Sequence, residues 1–182
     1  LKESRRLAEA EQSLRRAIAL NPNMPIAHHM LGSVMYELGR LPEAERSYRL
    51  ALALDPEYVE ARWAASLVRL PSLCDQGNHQ AAIEEIRALN DWFDATRLDQ
   101  GMKAVGTQQP FLLAYRENSN RGLLREYGAL CAKLMQHWQS RQSFRPAARN
   151  EGGSIRLGIV SAHIHDHPVW NAIIKGWVRH LD

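Results

Sequence analysis

Two cysteines in 182 residues, Cys74 and Cys131, are too few and too scattered to staple a disulfide-rich fold. Both read as thiols in a reducing compartment, and a cytoplasmic location is expected. No window approaches the roughly 20 uninterrupted apolar residues of a membrane span, and the N-terminal run LKESRRLAEAEQ has no apolar signal-peptide centre. A membrane partner is therefore not expected. Aromatic residues make up only 7% of the chain, and they do not interleave with the basic ones, so no stacking platform for bases is visible and no nucleic-acid partner is expected. Net charge is small, +3, but uneven: residues 57–102 carry 4 basic and 8 acidic side chains, residues 103–149 carry 8 and 2. Such an asymmetry can mark a phosphate surface; helix faces that complement one another between neighbouring segments are the preferred reading. The chain starts at Leu1 rather than Met, and its last apolar helical pattern runs to Asp182 without a capping signal. A piece of a longer polypeptide is expected.

What is present is a repeat. Between Pro25 and Pro56 the residues Leu31, Gly32, Gly39, Ala44, Tyr48, Ala51 and Pro56 fall at tetratricopeptide offsets. Gly32 and Ala44 allow two antiparallel helices to approach, Leu31 and Tyr48 fill the space beside the crossing, Gly39 ends the first helix at positive φ, and Pro56 cannot continue the second. Ala10, Leu14, Ala17, Ile18 and Pro22 stand 34 residues before Ala44, Tyr48, Ala51, Leu52 and Pro56, a period specific to this class. A third unit starts at Val59 with Arg62, Trp63 and Leu67 and resumes at Gly77, Ala82, Ile86 and Leu89. Its offset grows to 38, which places about four inserted residues around Leu70–Leu73 and predicts a broken first helix. The expected organisation is tetratricopeptide repeats over 1–94 (partial 1–24, complete 25–58, degenerate 59–94), then connecting helices over 95–140.

Within that connection, Asn120–Trp138 carries the strongest 3.6-residue stripe: Leu123, Leu124, Tyr127, Leu130, Cys131, Leu134, Met135 and Trp138, with Asn118, Ser119 and Asn120 as candidate caps. Its Leu123, Leu130 and Leu134 face is expected against the last repeat or a further domain. Trp63, Trp92, Trp138, Trp170 and Trp177 read mostly as core packing. Residues 141–153 turn polar, with Pro146, Gly152 and Gly153, and read as a linker. Then the pattern changes kind. Ile155–Val160 suits a buried parallel strand, and a helical stripe runs from Val169 through Trp170, Ile173, Ile174, Trp177, Val178 and Leu181. Strand, loop and helix open a Rossmann-like half-domain, whose ligands gather at the carboxyl end of the strand. The expected fold class is mainly α: a tetratricopeptide-repeat superhelix followed by the first strand–loop–helix of a Rossmann-like lobe at 154–182.

The loop at that strand end, Ser161–Pro168, concentrates the chemistry. His163, His165 and His167 alternate, so an extended loop points them to one side and Asp166 to the other. Metal-dependent hydrolases use His-x-His-x-Asp-His, and this loop reads His-x-His-Asp-His, one residue short; no metal site is expected. His163 and His165 read as solvated loop histidines in the simplest account. His167 precedes Pro168, which suits the first turn of the following helix, so its imidazole sits at a helix N-terminus that favours phosphate and could exchange a proton with substrate. Gly152-Gly153 precedes the strand without a Gly-x-Gly-x-x-Gly turn after it, so a dinucleotide fingerprint is not supported.

The repeats, then Gln108-Gln109-Pro110-Phe111-Leu112-Leu113-Ala114-Tyr115, Tyr127-Gly128, Ile155–Ser161, Asp166-His167-Pro168-Val169-Trp170 and Lys175-Gly176-Trp177, together resemble bacterial SPINDLY-type members of the O-linked N-acetylglucosamine transferase family. The resemblance implies a repeat superhelix joined to a GT-B catalytic region that transfers a sugar without a metal, from a nucleotide sugar (UDP-GlcNAc) to protein hydroxyls. It implies that 154–182 begins the first lobe, that His167 is catalytic and that Ser161, His163, His165, Asp166 and Pro168 bind substrate. The sequence departs from the family's pattern at Ala162-His163-Ile164. The repeats are expected to hold a protein or peptide substrate on their concave surface, no cofactor beyond the donor is needed, and this piece alone is expected to be inactive. The alternative is a repeat-based interaction module with a non-catalytic Rossmann-like domain.

Overall fold

The computed structural model describes residues 2–115 and 119–143. Their elements are α1 (Lys2–Leu20), α2 (Pro25–Glu37), α3 (Leu41–Leu54), α4 (Val59–Asp75), α5 (His79–Trp92), the single turn α6 (Leu98–Gly101), a 3₁₀ turn (Phe111–Tyr115) and α7 (Arg121–Ser140). No strand occurs among the described residues. The expected strand at 155–160, the helix from 169 and most of the 141–153 linker lie outside them.

Each helix pair is punctuated by the same device. Pro25 opens α2 at a position whose N–H needs no partner. Gly39 closes it at φ +73°, where Arg40 N–H donates to Met35 O and Gly39 N–H to Tyr36 O, both 2.9 Å. Gly77, also at φ +73°, repeats the arrangement after α4, with Asn78 N–H on Leu73 O at 2.9 Å and Gly77 N–H on Cys74 O at 3.0 Å. These are Schellman closures, which satisfy helix-end carbonyls that would otherwise be orphaned. Asn78 then caps α5 by accepting from Ala81 N–H.

Between α2 and α3 the close approach at Gly32 differs from the expected Gly–Ala contact in one respect. A Cβ on Gly32 would lie 2.5 Å from the Tyr48 ring, so the glycine makes room for that ring, while Ala44 and Tyr48 are fully buried. Leu31, Met35, Ala64 and Val68 complete this core. On α1 the equivalent positions Ala10, Leu14 and Ala17 are only half-buried, because α1 packs mainly on α2.

The expected break in the first helix of the third unit is not there: α4 runs through Pro71. It has 17 residues where α2 has 13, so the four inserted residues (17 − 13) are one more helical turn. Pro71 cannot donate to the Leu67 carbonyl, a cost of about 3 kcal/mol. Burial of Leu67, Leu70 and Cys74 offsets it, at about 1.5–3 kcal/mol for each leucine.

The described residues of the 95–120 stretch are less helical than expected: apart from α6 and the 3₁₀ turn they are turns and coil, pinned by buried Phe93, Ala104 and Leu113. These join Trp63, Ile86, Leu89, Leu130 and Leu134 in a second core. Trp63 is fully buried and lies edge-on to Phe93. Trp92 is half-buried with the Arg62 and Arg97 guanidinium groups over its ring. Trp138 is exposed, so the core reading holds for Trp63 and not for Trp138; Trp170 and Trp177 lie outside the described residues.

α7 packs on α5, the second helix of the last pair, and on α6. Leu123, Leu130 and Leu134 are buried as expected, whereas Leu124, Met135 and Trp138 at the edge of the stripe are exposed. Of the candidate caps, Asn120 occupies the cap position without capping; its Nδ2 instead donates back to Leu113 O at 2.9 Å. Asn118 lies outside the described residues. Gly128, mid-helix and exposed, has nothing within 4 Å of where a Cβ would sit. Gly128→Ala is therefore expected to stabilise the chain by about 0.5–1 kcal/mol. A urea midpoint that stays put or falls would count against an open, unstrained position.

Candidate protein-binding face

All six residues expected to form the sugar-transfer site, Ser161, His163, His165, Asp166, His167 and Pro168, lie outside the described residues. The surface that can be built from the described residues is the inner face of the repeats. The first helices of successive pairs, α2 and α4, touch directly, while the second helices α1, α3 and α5 stand further apart. α2 and α4 therefore line the inside of the curve.

On α2, His29, Ser33, Tyr36 and Glu37 fall at i, i+4, i+7 and i+8 and share one stripe. His29 sits between the rings of Tyr48 and Tyr58, at 5.6 and 5.1 Å between centroids, and its Nδ1 is 3.2 Å from the Tyr58 hydroxyl. Burial holds the imidazole below its usual pKa, and the charge of Glu60 opposes that only in part. His29 is thus a neutral hydrogen-bonding group. Burial, and secondarily the charge of Glu37, raises the Tyr36 hydroxyl; burial pushes Tyr48 up to about 12. Both phenols stay protonated and able to donate.

Residues Gly106–Leu112 cross this face. Gly106 turns at φ +88°, and residues 108–110 are non-helical. Trp63 Nε1 donates to Gln108 O at 2.9 Å, the Tyr48 hydroxyl to Gln108 Oε1 at 3.3 Å, and the Tyr36 hydroxyl to Gln109 O at 3.4 Å. Gln108 is buried, and its Nε2 has no acceptor among the described residues. Beside the segment opens a pocket of about 650 Å³, lined on the helix side by Ser33, Tyr36, Glu37 and Leu41 and on the segment side by Thr107, Gln109, Phe111 and Leu112. This is a lining of neutral hydrogen-bonding groups, apolar surface and one carboxylate, suited to holding a polypeptide. Gln108 and Gln109 entered the sequence reading only as part of a resemblance. Their docking depends on partners 45 to 73 positions away, which no local pattern reveals.

The uneven charge is met in part by contacts between neighbouring segments. Asp99 pairs with Arg141, and its oxygen accepts from His137 at 2.7 Å; the His137 hydrogen bond, then Arg141, hold its carboxyl below the usual range. Arg87 bridges to Glu126 across α5 and α7 at 2.7 Å, and Lys133 Nζ donates to Asn90 O at 2.8 Å. Neither cysteine forms a disulfide among the described residues; Cys74 is buried and Cys131 half-buried. No described helix is long and apolar enough to cross a membrane.

Among the curated proteins compared, none matches the chain. The family described as Tetratricopeptide repeat matches residues 1–59, the stretch that holds α1, α2 and α3. Matching residues, helix pairs, and glycine closures at Gly39 and Gly77 agree: the chain contains tetratricopeptide repeats.

Proposed function

We propose that the inner face of α2 and α4 holds a polypeptide and that this serves sugar transfer to the polypeptide's hydroxyl groups. The holding rests on the tetratricopeptide repeats, a fold that commonly leaves its concave surface for partners. The observation that carries it is the convergence of Tyr36, Tyr48 and Trp63 donors on successive residues of a non-helical segment. The transfer rests on the sequence alone, through the resemblance of Ile155–Ser161, Asp166–Trp170 and Lys175–Trp177 to SPINDLY-type O-linked N-acetylglucosamine transferases. In this reading UDP-GlcNAc is the donor, His167 lines the cleft where donor and acceptor meet, and Ser161, His163, His165, Asp166 and Pro168 contact substrate without a metal.

The test is to supply the intact protein with radiolabelled UDP-GlcNAc and a protein extract. Label is expected on protein, released by alkaline β-elimination as an O-linked sugar is, and insensitive to chelator. Chelator-sensitive labelling would move the chemistry to a metal held by the loop histidines. Protein binding without any labelling would favour the second reading, an interaction module whose Rossmann-like part is not catalytic.

A further inference from the structure

We propose that the inner face recognises a non-acidic, non-helical polypeptide segment through its main-chain carbonyls and one side-chain amide, and that Gly106–Leu112 is an internal occupant which a partner displaces. The proposal rests on the polypeptide-binding reading above and specifies its ligand chemistry and its control.

The chemistry is written in the contacts. Trp63 and Tyr36 donate to the carbonyls of two consecutive residues, Gln108 and Gln109, groups that every polypeptide carries. Tyr48 donates to the Gln108 side-chain oxygen, which adds a preference for an amide at one position. Among the described residues the only charged side chain lining the adjoining pocket is Glu37, so an acidic segment is disfavoured there.

The occupant is lightly held. Ala104 and Leu113 anchor its two ends in the core, yet between them only Gln108 is buried, while Gly106, Thr107, Gln109 and Phe111 are exposed. Its fit is incomplete as well. Gln108 Nε2 is enclosed without an acceptor among the described residues, a loss that departure into water would repair. The pocket of about 650 Å³ beside it gives an incoming segment a place to start. A tether this short keeps the internal segment at millimolar effective concentration. Weak partners are excluded by it, and only a segment with additional contacts gains the site.

The probe is a fluorescein-labelled peptide of residues 105–112, read by anisotropy against the 182-residue chain and its Gly106→Val variant. Valine at φ +88° is strained and loosens the internal segment, so binding to the variant is expected to be about tenfold tighter than to the unaltered chain. Adding Tyr36→Ala to the variant should weaken it about fivefold. Equal affinities, or no binding by a Gly106→Val chain whose circular dichroism and thermal melt are intact, would overturn the proposal. Should that variant fail to fold, hydrogen exchange on the unaltered chain decides. Amides of 106–112 that exchange well ahead of those in α2 and α4 support a displaceable segment, and exchange in step with the helices overturns it. Because the probe is the chain's own sequence, its failure would leave binding of other proteins by the repeats untouched.

Discussion

A Gly32→Leu chain is expected to unfold about 4–8 °C earlier than the unaltered one. The leucine Cβ would fall 2.5 Å from Tyr48 Cε1 and 2.6 Å from Cδ1, and Tyr48 is fully buried, so the ring would have to leave its packed position. Overpacking of this kind costs about 3 kcal/mol, against which leucine's better helix propensity returns about 0.8 kcal/mol. The net of about 2 kcal/mol corresponds to that shift in a chain of this size. Removing the ring tests the cause. Tyr48→Ala alone opens a cavity and costs about 3–5 kcal/mol, but in the double variant the leucine enters the vacated space, and the two costs should fall short of their sum by about 1–3 kcal/mol. Simple additivity would show that Gly32 is required for some reason other than the tyrosine.

His167→Ala should lower sugar transfer by the intact protein by about two to four orders of magnitude if the imidazole acts as acid or base. The expectation rests on sequence alone, in which Ile155–Val160 reads as a first parallel strand with its carboxyl end towards a ligand crevice, and Pro168 as the start of a helix whose N-terminus favours phosphate. On that reading one imidazole could accept the acceptor proton or bond to the donor. His163→Ala and His165→Ala should do much less. Measured by transfer of radiolabelled sugar, an undiminished rate in His167→Ala would end the proposed role, and a fall of only a few fold would reduce it to positioning.

Residues 25–58 were legible because their signals act locally. Gly39 closes a helix through its own φ, and Pro25 and Pro56 set boundaries through a missing N–H; the exact contact at Gly32 was not legible, because it makes room for the Tyr48 ring of the facing helix. Pro71 misled for the opposite reason. Its penalty is local, and what offsets it is burial of Leu67, Leu70 and Cys74, contacts invisible to a window of a few residues. Asn120 shows the same limit, since the acceptor it chooses, Leu113 O, exists only once the 3₁₀ turn has folded back. For the candidate site the balance is harsher. Tyr36, Tyr48, Trp63 and Gln108 are each ordinary in their own surroundings, and they become a binding face only when three helices and a loop converge.

The extra turn of α4 also sets a rule for how such a chain can change length by inheritance. Four residues advance a helix by about 400°, some 40° beyond a full revolution, so every side chain after the insertion still faces nearly where it faced before. Cys74 therefore stays buried and Gly77 still closes the helix. An insertion of two residues would swing the same positions by about 200°, turning Leu70 and Cys74 to water and charged Asp75 towards the core. Duplications and deletions within these helices should survive in steps of three or four residues and be purged at one or two. The 38-residue spacing between Gly39 and Gly77, against a 34-residue period, is what one such surviving step leaves behind.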